Sequence, residues 1–318
     1  MQHPHDRLLN VSLLAGSPAH RAYRARAGSG PRASLNLHFF GGKTIADLVF
    51  VNHYLGGSRA WAAADTASID AALAKTMTDN DLQSVLQQYY GPVISSRMLP
   101  SAVLPGPAPA VLYKDQVEAL AGRIHGSGAL AGADLGRTVV NIMLPRGVIL
   151  VDGFSPGFQP PPGTEAEHER RLRAVVRVGG KDADSRHGLG GYHGSAHVPF
   201  GPASIVVYYA VGVYSEAGNG VPVFDQPWKN VAATFYHELN EARTDPDVDD
   251  AIRTGDRSRL GWYCAGGGEI GDLPVAGAGL ALVFTEIELA DGSGAVPVQL
   301  MWSNKDDGPA ARLGEPLA

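Results

Sequence analysis

The sequence predicts an α+β fold, in which one domain over residues 34–304 is built on a mixed β-sheet. Short β-branched or alternating apolar runs predict strands. The clearest of these runs are residues 34–40, 47–54, 138–144 and 204–213. Apolar residues spaced three and four positions apart predict helices. These helical segments are residues 66–78, 79–90, 114–125 and 225–244. Strands and helices interleave along the chain, which favours a mixed fold.

The remaining segments are predicted as connectors and ends. Residues 280–289 and 296–302 read as a C-terminal hairpin around a glycine-containing turn. Residues 100–109 form a proline-rich connector, and the charged residues 165–173 follow a proline-rich breaker as a surface insertion. Two segments lie outside the predicted domain. These are a loose N-terminal arm, residues 1–33, and a C-terminal tail, residues 305–318.

Composition and charge narrow the classes of function. The chain has 318 residues, an apolar fraction of 44% and a net charge of −6. A mildly acidic protein of this kind is not expected to bind nucleic acid, which requires a concentrated basic surface. No apolar run approaches the roughly 20 residues that cross a bilayer. The absence of a clear signal peptide and the single cysteine, Cys264, favour a reducing, cytoplasmic compartment.

One predicted helix, residues 225–244, carries the clearest chemical pattern. Asp225 is placed to cap its N-terminus, and Pro227 is tolerated in a first turn. Pro246 ends the helix, because a proline disfavours helical backbone in the residue before it. The large apolar residue Phe235 lies just before the polar residues of the pattern, which argues against a helix that is freely exposed to solvent.

The sequence His237-Glu238-Leu239-Asn240-Glu241 lies inside this helix. His237 and Glu241 share one face, one turn apart, and Glu238 lies about 100° further round. This is the spacing of the HExxH zinc helix, in which residues i and i+4 bind the ion and the intervening glutamate is the general base. Because carboxylate oxygen also binds zinc, HExxE predicts one Zn²⁺ per chain. The alternative is a solvated polar face, since short motifs also occur by chance.

A zinc site needs a third protein ligand, and three acidic residues are candidates. Glu269 ranks first, because it lies in the glycine-rich segment GGGEIGD, where the backbone can approach closely. Asp272, in the same segment, ranks second. Asp247 ranks third. It has the spacing from His237 that the third ligand has in HExxHxxGxxH enzymes, but Thr244 replaces the glycine that turns the chain there.

A second glycine-rich cluster, GGYHG at residues 190–194, precedes the long predicted strand. A histidine between glycines can approach a site closely. His193 is therefore a reserve metal ligand, or, with Tyr192, a candidate donor to a developing oxyanion. An isolated histidine in such a segment is more often a loop residue.

Four segments together resemble a known family. They are FYHELNEARTDP, GWYCAGGGEIGD, GGYHG and VQLMWSN. They resemble the exordium-like (phosphate-induced) proteins of plants and their bacterial relatives, over about residues 46–304. The resemblance implies a secreted, zincin-like domain, with matching motif positions at His237, Glu238, Glu241 and Glu269. The chain departs from the pattern in lacking the cysteines expected near residues 190–191 and 273–274.

These observations predict a zinc-dependent hydrolase, in the first instance a metallopeptidase acting on a peptide or protein. His237, Glu241 and Glu269 hold the ion, and Glu238 accepts a proton from water. His193 or Tyr192 stabilises the oxyanion. The alternatives are a non-catalytic metal-binding or interaction module on a zincin scaffold, and a globular domain whose HExxE segment binds no metal.

Overall fold

Helices pack on both faces of a central β-sheet in the computed structural model of the chain. The structure describes residues 11–13, 18, 21, 35–91, 93–201, 203–277 and 280–316. The strands are β1 (Val11–Leu13), β2 (Leu37–Phe39), β3 (Asp47–Tyr54), β4 (Ser95–Val103), β5 (Val111–Leu112), β6 (Thr138–Leu144), β7 (Ile149–Leu150), β8 (Arg177–Val178), β9 (Lys181–Asp182), β10 (Leu189–Phe200), β11 (Ala203–Val213), β12 (Trp262–Cys264), β13 (Phe284–Glu288), β14 (Ala295–Gln299), β15 (Met301–Ser303), β16 (Gly308–Arg312) and β17 (Glu315–Pro316). The helices are α1 (Ala63–Thr78), α2 (Ser84–Tyr90), α3 (Lys114–Gly126), α4 (Glu165–Ala174), α5 (Pro227–Thr244), α6 (Val248–Thr254), α7 (Asp272–Gly277) and α8 (Leu280–Val283).

The central sheet contains six strands in the order β1-β10-β11-β6-β3-β4. The strands from β11 to β4 run parallel to one another, whereas β10 is antiparallel to both β11 and β1. The protein is therefore α+β with a mixed sheet, as the sequence predicts. Every residue of β6 is buried, because helices cover both faces of the sheet.

The apolar core has one large cluster on each face of the sheet. Successive side chains of a strand point to opposite faces, so neighbouring residues join different clusters. Phe50 of β3 shares its cluster with Phe235 of α5. Val51, the next residue of β3, shares the other cluster with Val117 of α3. The helix with the HExxE sequence thus lies on the Phe50 face.

Helix α5 is buried along nearly its whole length, from Asn230 to Thr244. It contacts β10 and β11 on the sheet side, and α1 and β14 elsewhere. A helix enclosed in this way has no solvated face, so its polar side chains point at other parts of the protein. The interpretation of its polar stripe as a solvated face is therefore wrong.

The start of α5 differs from the prediction. Gln226 is the residue before the helix, its side chain makes no capping bond, and Pro227 occupies the first turn. Asp225 therefore does not cap the helix. Instead, Asn230 Oδ1 accepts hydrogen bonds of 2.8 Å from two backbone N–H groups of the preceding loop, at Val223 and Phe224. A proline in the first turn has no N–H, so one of the unpaired backbone donors of the helix start is absent.

The proline-rich connector is shorter than predicted, because β4 extends through Pro100 to Val103. β4 is the edge strand of the sheet and pairs only with β3. The register shifts where Pro100 lies, between the pairs Val51–Leu99 and His53–Ala102. A proline is tolerated at such a bulge on an edge strand, since no ladder hydrogen bond is lost there.

Other predicted helices and strands are present, but their first or last residues differ from the prediction. The helix predicted over residues 79–90 begins later, at Ser84. The charged insertion forms α4, a helix without buried residues. The C-terminal hairpin is formed by β13 and β14, and residues 280–283 before it are helical. Among the described residues, no helix is long and apolar enough to cross a bilayer.

Both ends of the chain contain strands that the sequence does not predict. Val11–Leu13, inside the segment expected as a loose arm, pairs with β10. The rest of residues 1–33 lies outside the described part of the chain, apart from positions 18 and 21. In the segment 305–318, β16 pairs with β15 and with β17. A strand of two to five residues has too few positions to show a period, so pairing with a distant strand decides its structure.

Candidate metal centre

Helix α5 supplies three side chains to a buried polar cluster. His237, Glu238 and Glu241 each have an exposed fraction of 0%. His237 and Glu241 lie one helical turn apart, and His237 Nε2 is 3.0 Å from Glu241 Oε2. This separation is the side-by-side placement that the i, i+4 spacing predicts.

Strand β10 brings His193 to the same cluster. His193 Nδ1 lies 3.5 Å from Glu238 Oε2 and 3.6 Å from Glu241 Oε2. Its other ring nitrogen, Nε2, lies 3.6 Å from Glu269 Oε1. The loop interpretation of His193 is therefore wrong, because the residue lies in a twelve-residue strand. The side chain stands between the carboxylates of α5 and the carboxylate of the glycine-rich segment.

Glycines hide the strand character of β10 in the sequence. Glycine is a poor strand former, but here no larger side chain fits. A Cβ on Gly191 would lie 2.5 Å from the backbone oxygen of Val211, and a Cβ on Gly194 would lie 2.2 Å from Asp249 Oδ2. The available signal was the polar alternation of positions 193, 195 and 197, which is the period of a strand.

The glycine-rich segment, residues 266–271, places Glu269 against α5. The backbone N–H of Gly271 donates to Glu241 Oε1 at 3.1 Å. Gln299 Nε2 donates to the Gly271 oxygen at 2.6 Å, which ties the segment to β14. Gly267 and Gly268 have φ angles of 99° and 109°, a conformation that other residues rarely adopt. The segment can therefore turn tightly and deliver a buried carboxylate to the cluster.

Gly271 also allows the segment to approach His237. A Cβ built at Gly271 would lie 2.4 Å from His237 Nδ1. Real side chains do not come that close, so only glycine lets the imidazole stand beside this backbone. The packing holds the ring in place without a hydrogen bond to it.

Two overlapping sets of atoms in the cluster have the geometry of metal ligands. One set is His193, Glu241 and Glu269, and the other is His237, Glu238 and Glu241. Within each set, one donor atom per residue lies within 4.8 Å of the others. Glu241 belongs to both sets and is the centre of the cluster. Imidazole nitrogen and carboxylate oxygen are donors that zinc accepts.

Burial and mutual attraction shift the pKa values of the cluster. Burial lowers the pKa of His237, but the charge of Glu241 outweighs burial and raises that pKa to about 9. Burial raises the pKa of Glu241, but attraction to His237 outweighs it and lowers that pKa to about 2. Burial raises the pKa of Glu269 well above its usual range, against the attraction of His193. The pair His237–Glu241 thus compensates itself, whereas Glu269 is disfavoured as an anion.

Several buried donor and acceptor atoms of the cluster make no hydrogen bond within the described part of the chain. They are Nδ1 of His237 and both carboxylate oxygens of Glu269. A buried polar group without a partner costs about 1–3 kcal/mol, and more if it is charged. A divalent cation would use these lone pairs and favour the charged carboxylates. The residues present therefore fit a bound metal ion.

The position of the other acids decides between the candidates for the third ligand. Asp272 Oδ2 accepts the backbone N–H of Glu269 at 3.3 Å, so Asp272 supports the segment that carries Glu269. Asp247 Oδ1 accepts the hydroxyl of Tyr208 at 2.7 Å and lies in neither ligand set. Of these three acids, Glu269 is the one that shares a ligand set with Glu241, and the third member of that set is His193.

Tyr192 does not reach the cluster. It precedes His193 on β10 and so points to the opposite face of the sheet, where it joins the apolar cluster that includes Tyr209. Its ring lies 4.8 Å from Lys114 Nζ. The sequence-based role of Tyr192 as an oxyanion donor is therefore wrong, because adjacent strand residues cannot share a face.

Asp245 supports the cluster from the end of α5, where its position before Pro246 predicts a helix terminator and not a ligand. It is fully buried at the end of α5, and its Oδ1 accepts the backbone N–H of Gly261 at 2.9 Å. Its backbone oxygen lies 3.3 Å from His193 Nε2. Asp245 thus links the end of α5 to Gly261 through its side chain and to the His193 ring through its backbone oxygen. The signal in the sequence is its position four residues after Glu241, on the same face of the helix.

We expect Gly271→Ala to weaken zinc binding about 10–100-fold, the range typical of residues that orient ligands. The added methyl group would meet His237 Nδ1 at 2.4 Å and displace the ring or the segment. Gly266→Ala is the matched control, because its Cβ would meet Cys264 Sγ at an ordinary 3.8 Å. Calorimetric titration of metal-free protein with zinc measures both. Equal affinities for the two variants would show that the close approach does not position His237.

A second titration tests the third ligand. Glu269→Ala should weaken zinc binding by more than about 100-fold, beyond the loss typical of a residue that only supports a ligand. Asp247→Ala, which breaks a contact with Tyr208 outside the cluster, should leave the affinity nearly unchanged. The opposite ranking would place the third ligand after the end of the helix. If neither variant loses zinc, His193 becomes the third ligand.

Comparison of the chain with family models, with curated proteins and with solved structures gives no match. The functional interpretation therefore depends on the cluster itself.

Proposed function

We propose that the chain is a zinc-dependent hydrolase, and that its substrate is a peptide or protein. The observation that carries the proposal is Glu241, which lies in two buried sets of possible ligands, one with His237 and Glu238 and the other with His193 and Glu269. Three protein ligands with one open position are the usual arrangement of a catalytic zinc site. The family resemblance supports the same ligand positions.

The donor set of nitrogen and oxygen suits zinc better than a hard cation. Calcium and magnesium prefer six or more oxygen ligands, whereas zinc takes imidazole and carboxylate in a four-coordinate site. Bound there, zinc supplies Lewis-acid chemistry that makes a water molecule acidic enough to lose a proton near neutral pH.

In this proposal Glu238 accepts that proton. It follows His237 on α5, points about 100° away from the face shared by His237 and Glu241, and lies close enough to share a ligand set with them. Its Oε2 lies 3.5 Å from His193 Nδ1. A buried carboxylate next to the reacting water is the arrangement that general-base catalysis requires.

His193 would stabilise the negative charge that develops on the substrate. Its ring stands at the junction of Glu238, Glu241 and Glu269. A protonated imidazole there donates a hydrogen bond to the oxygen that gains charge when a carbonyl is attacked. Fixed donors of this kind stabilise the transition state because they need no rearrangement.

A second candidate function is a non-catalytic module with a structural metal ion. The observation that favours it is His193, which shares a ligand set with Glu241 and Glu269 and would be a fourth donor if His237 also binds the ion. Four protein ligands close the coordination of zinc and leave no position for water. A binding or interaction role on the same scaffold would then replace hydrolysis.

Glu238→Gln separates these functions. The substitution keeps the size of the side chain but removes its basicity, so turnover of a peptide library should fall by about 10²–10⁴-fold. Zinc content should stay the same, because Glu238 is not a ligand in this proposal. Glu169→Gln is the control, since Glu169 is a glutamate on α4 whose side chain is 71% exposed.

Each outcome has a separate meaning. Cleavage by Glu238→Gln at the wild-type rate would exclude Glu238 as the base. Loss of zinc together with activity would make Glu238 a ligand. No cleavage by either protein, with zinc bound in both, would favour the structural-metal alternative.

A further inference from the structure

The edge of the central sheet beside the cluster is covered by a segment from the N-terminal part of the chain. In antiparallel register with β10, Val11 lies opposite Tyr192 and Ser12 lies opposite Gly191. β1 also approaches α5 and α7. α5 carries the HExxE residues, and α7 begins three residues after Glu269. β1 therefore lies among the elements that build the cluster.

A chain at this edge passes next to Glu238. Neighbouring strands lie about 4.8 Å apart, so the backbone of Ser12 is one strand spacing from Gly191. A Cβ on Gly191 would be 3.1 Å from Glu238 Oε1. His193 is two residues further along β10 and so points to the same face as Gly191. The backbone of any segment paired here therefore runs beside Glu238 and His193.

The cluster is closed while β1 is in place. His193, His237, Glu238, Glu241 and Glu269 all have an exposed fraction of 0%. A substrate can reach them only if a covering element moves. β1 is a candidate because its pairing is short, three residues, and its register shifts between Ser12 and Leu13. By contrast, β10 and β11 pair without interruption from Gly191 to Phe200.

We propose that the edge of β10 at Leu189–Tyr192 is a binding site for an extended peptide, and that Val11–Leu13 occupies it as an internal inhibitor. Backbone N–H and C=O groups at a strand edge pair with an extended chain of almost any sequence. The inference rests on the proposed hydrolase, because pairing at this edge would bring a peptide bond to Glu238 and His193. Release of β1 exposes both the edge and the cluster.

The test uses the full chain and a backbone substitution in β1. Val11→Pro with Ser12→Pro removes both N–H groups, so the ladder is broken whichever of them faces β10. Val11→Ala with Ser12→Ala is the matched control, because alanine keeps both backbone N–H groups. The probe is a fluorescent peptide of residues 8–16, LLNVSLLAG, and its binding is measured by fluorescence anisotropy. The same peptide with proline at the two matching positions is the control ligand.

We expect the proline variant to bind the LLNVSLLAG peptide about tenfold more tightly than wild type, if β1 occupies the edge in about nine molecules of ten. The alanine variant should resemble wild type, and the proline-containing peptide should bind to none of the proteins. Equal peptide affinity in the proline and alanine variants, with unchanged melting temperatures, would overturn the proposal. Hydrogen exchange adds a measurement on the unmodified chain: slow exchange of the Leu189–Tyr192 amides that face β1 supports the pairing, and fast exchange contradicts it.

Activity separates this inference from the proposed function. If the edge is the substrate site of a hydrolase, the proline variant should also cleave a peptide library about tenfold faster at low substrate concentration. Tighter peptide binding with no cleavage, while zinc is bound, would retain the edge site and reject the hydrolase. Cleavage that is equal in all variants would retain the hydrolase and reject β1 as its inhibitor.

Discussion

The buried contact between His237 and Glu241 is the interaction on which the site depends. An ion pair loses its hydration when it enters the interior, and the attraction between the partners offsets that cost only with good geometry and further partners. Here the further groups are His193 and Glu269, which bring more charge to the same place. A divalent cation would compensate the carboxylates of this cluster, and the surrounding structure keeps these donors together.

Glycine is the means by which three separate elements meet. Gly191 lets β10 lie against β11 and Glu238, and Gly271 lets its segment lie against the His237 ring. Glycine in a strand costs stability, since it has no side chain to pack and loses more entropy on folding. These glycines lie where the backbone approaches a buried side chain of the cluster. Active sites of many proteins likewise contain residues that lower stability but allow a required geometry.

The sequence predicted the elements whose signals are local. Helix α5 could be predicted because its spacing, Pro227 and Pro246 all act within the segment, and β6 because a short apolar run fits a strand covered on both faces. The same spacing placed His237 and Glu241 together. Strand β10 was missed because its glycines serve contacts with distant residues. The face to which Tyr192 points follows from its place in β10, so a sequence pattern that does not reveal the strand cannot assign that face. β1 depends on long-range pairing alone.

The central claim is that the cluster binds one divalent ion through His237, Glu241 and Glu269. The most direct test is the metal content of the purified protein by inductively coupled plasma mass spectrometry, before and after dialysis against zinc, for wild type and His237→Ala. His197→Ala is the control, because His197 pairs with Asp250 outside the ligand sets. We expect one zinc ion per chain in wild type and in His197→Ala, and none in His237→Ala. Wild-type protein without zinc after dialysis, or His237→Ala with a full zinc content, would contradict the account.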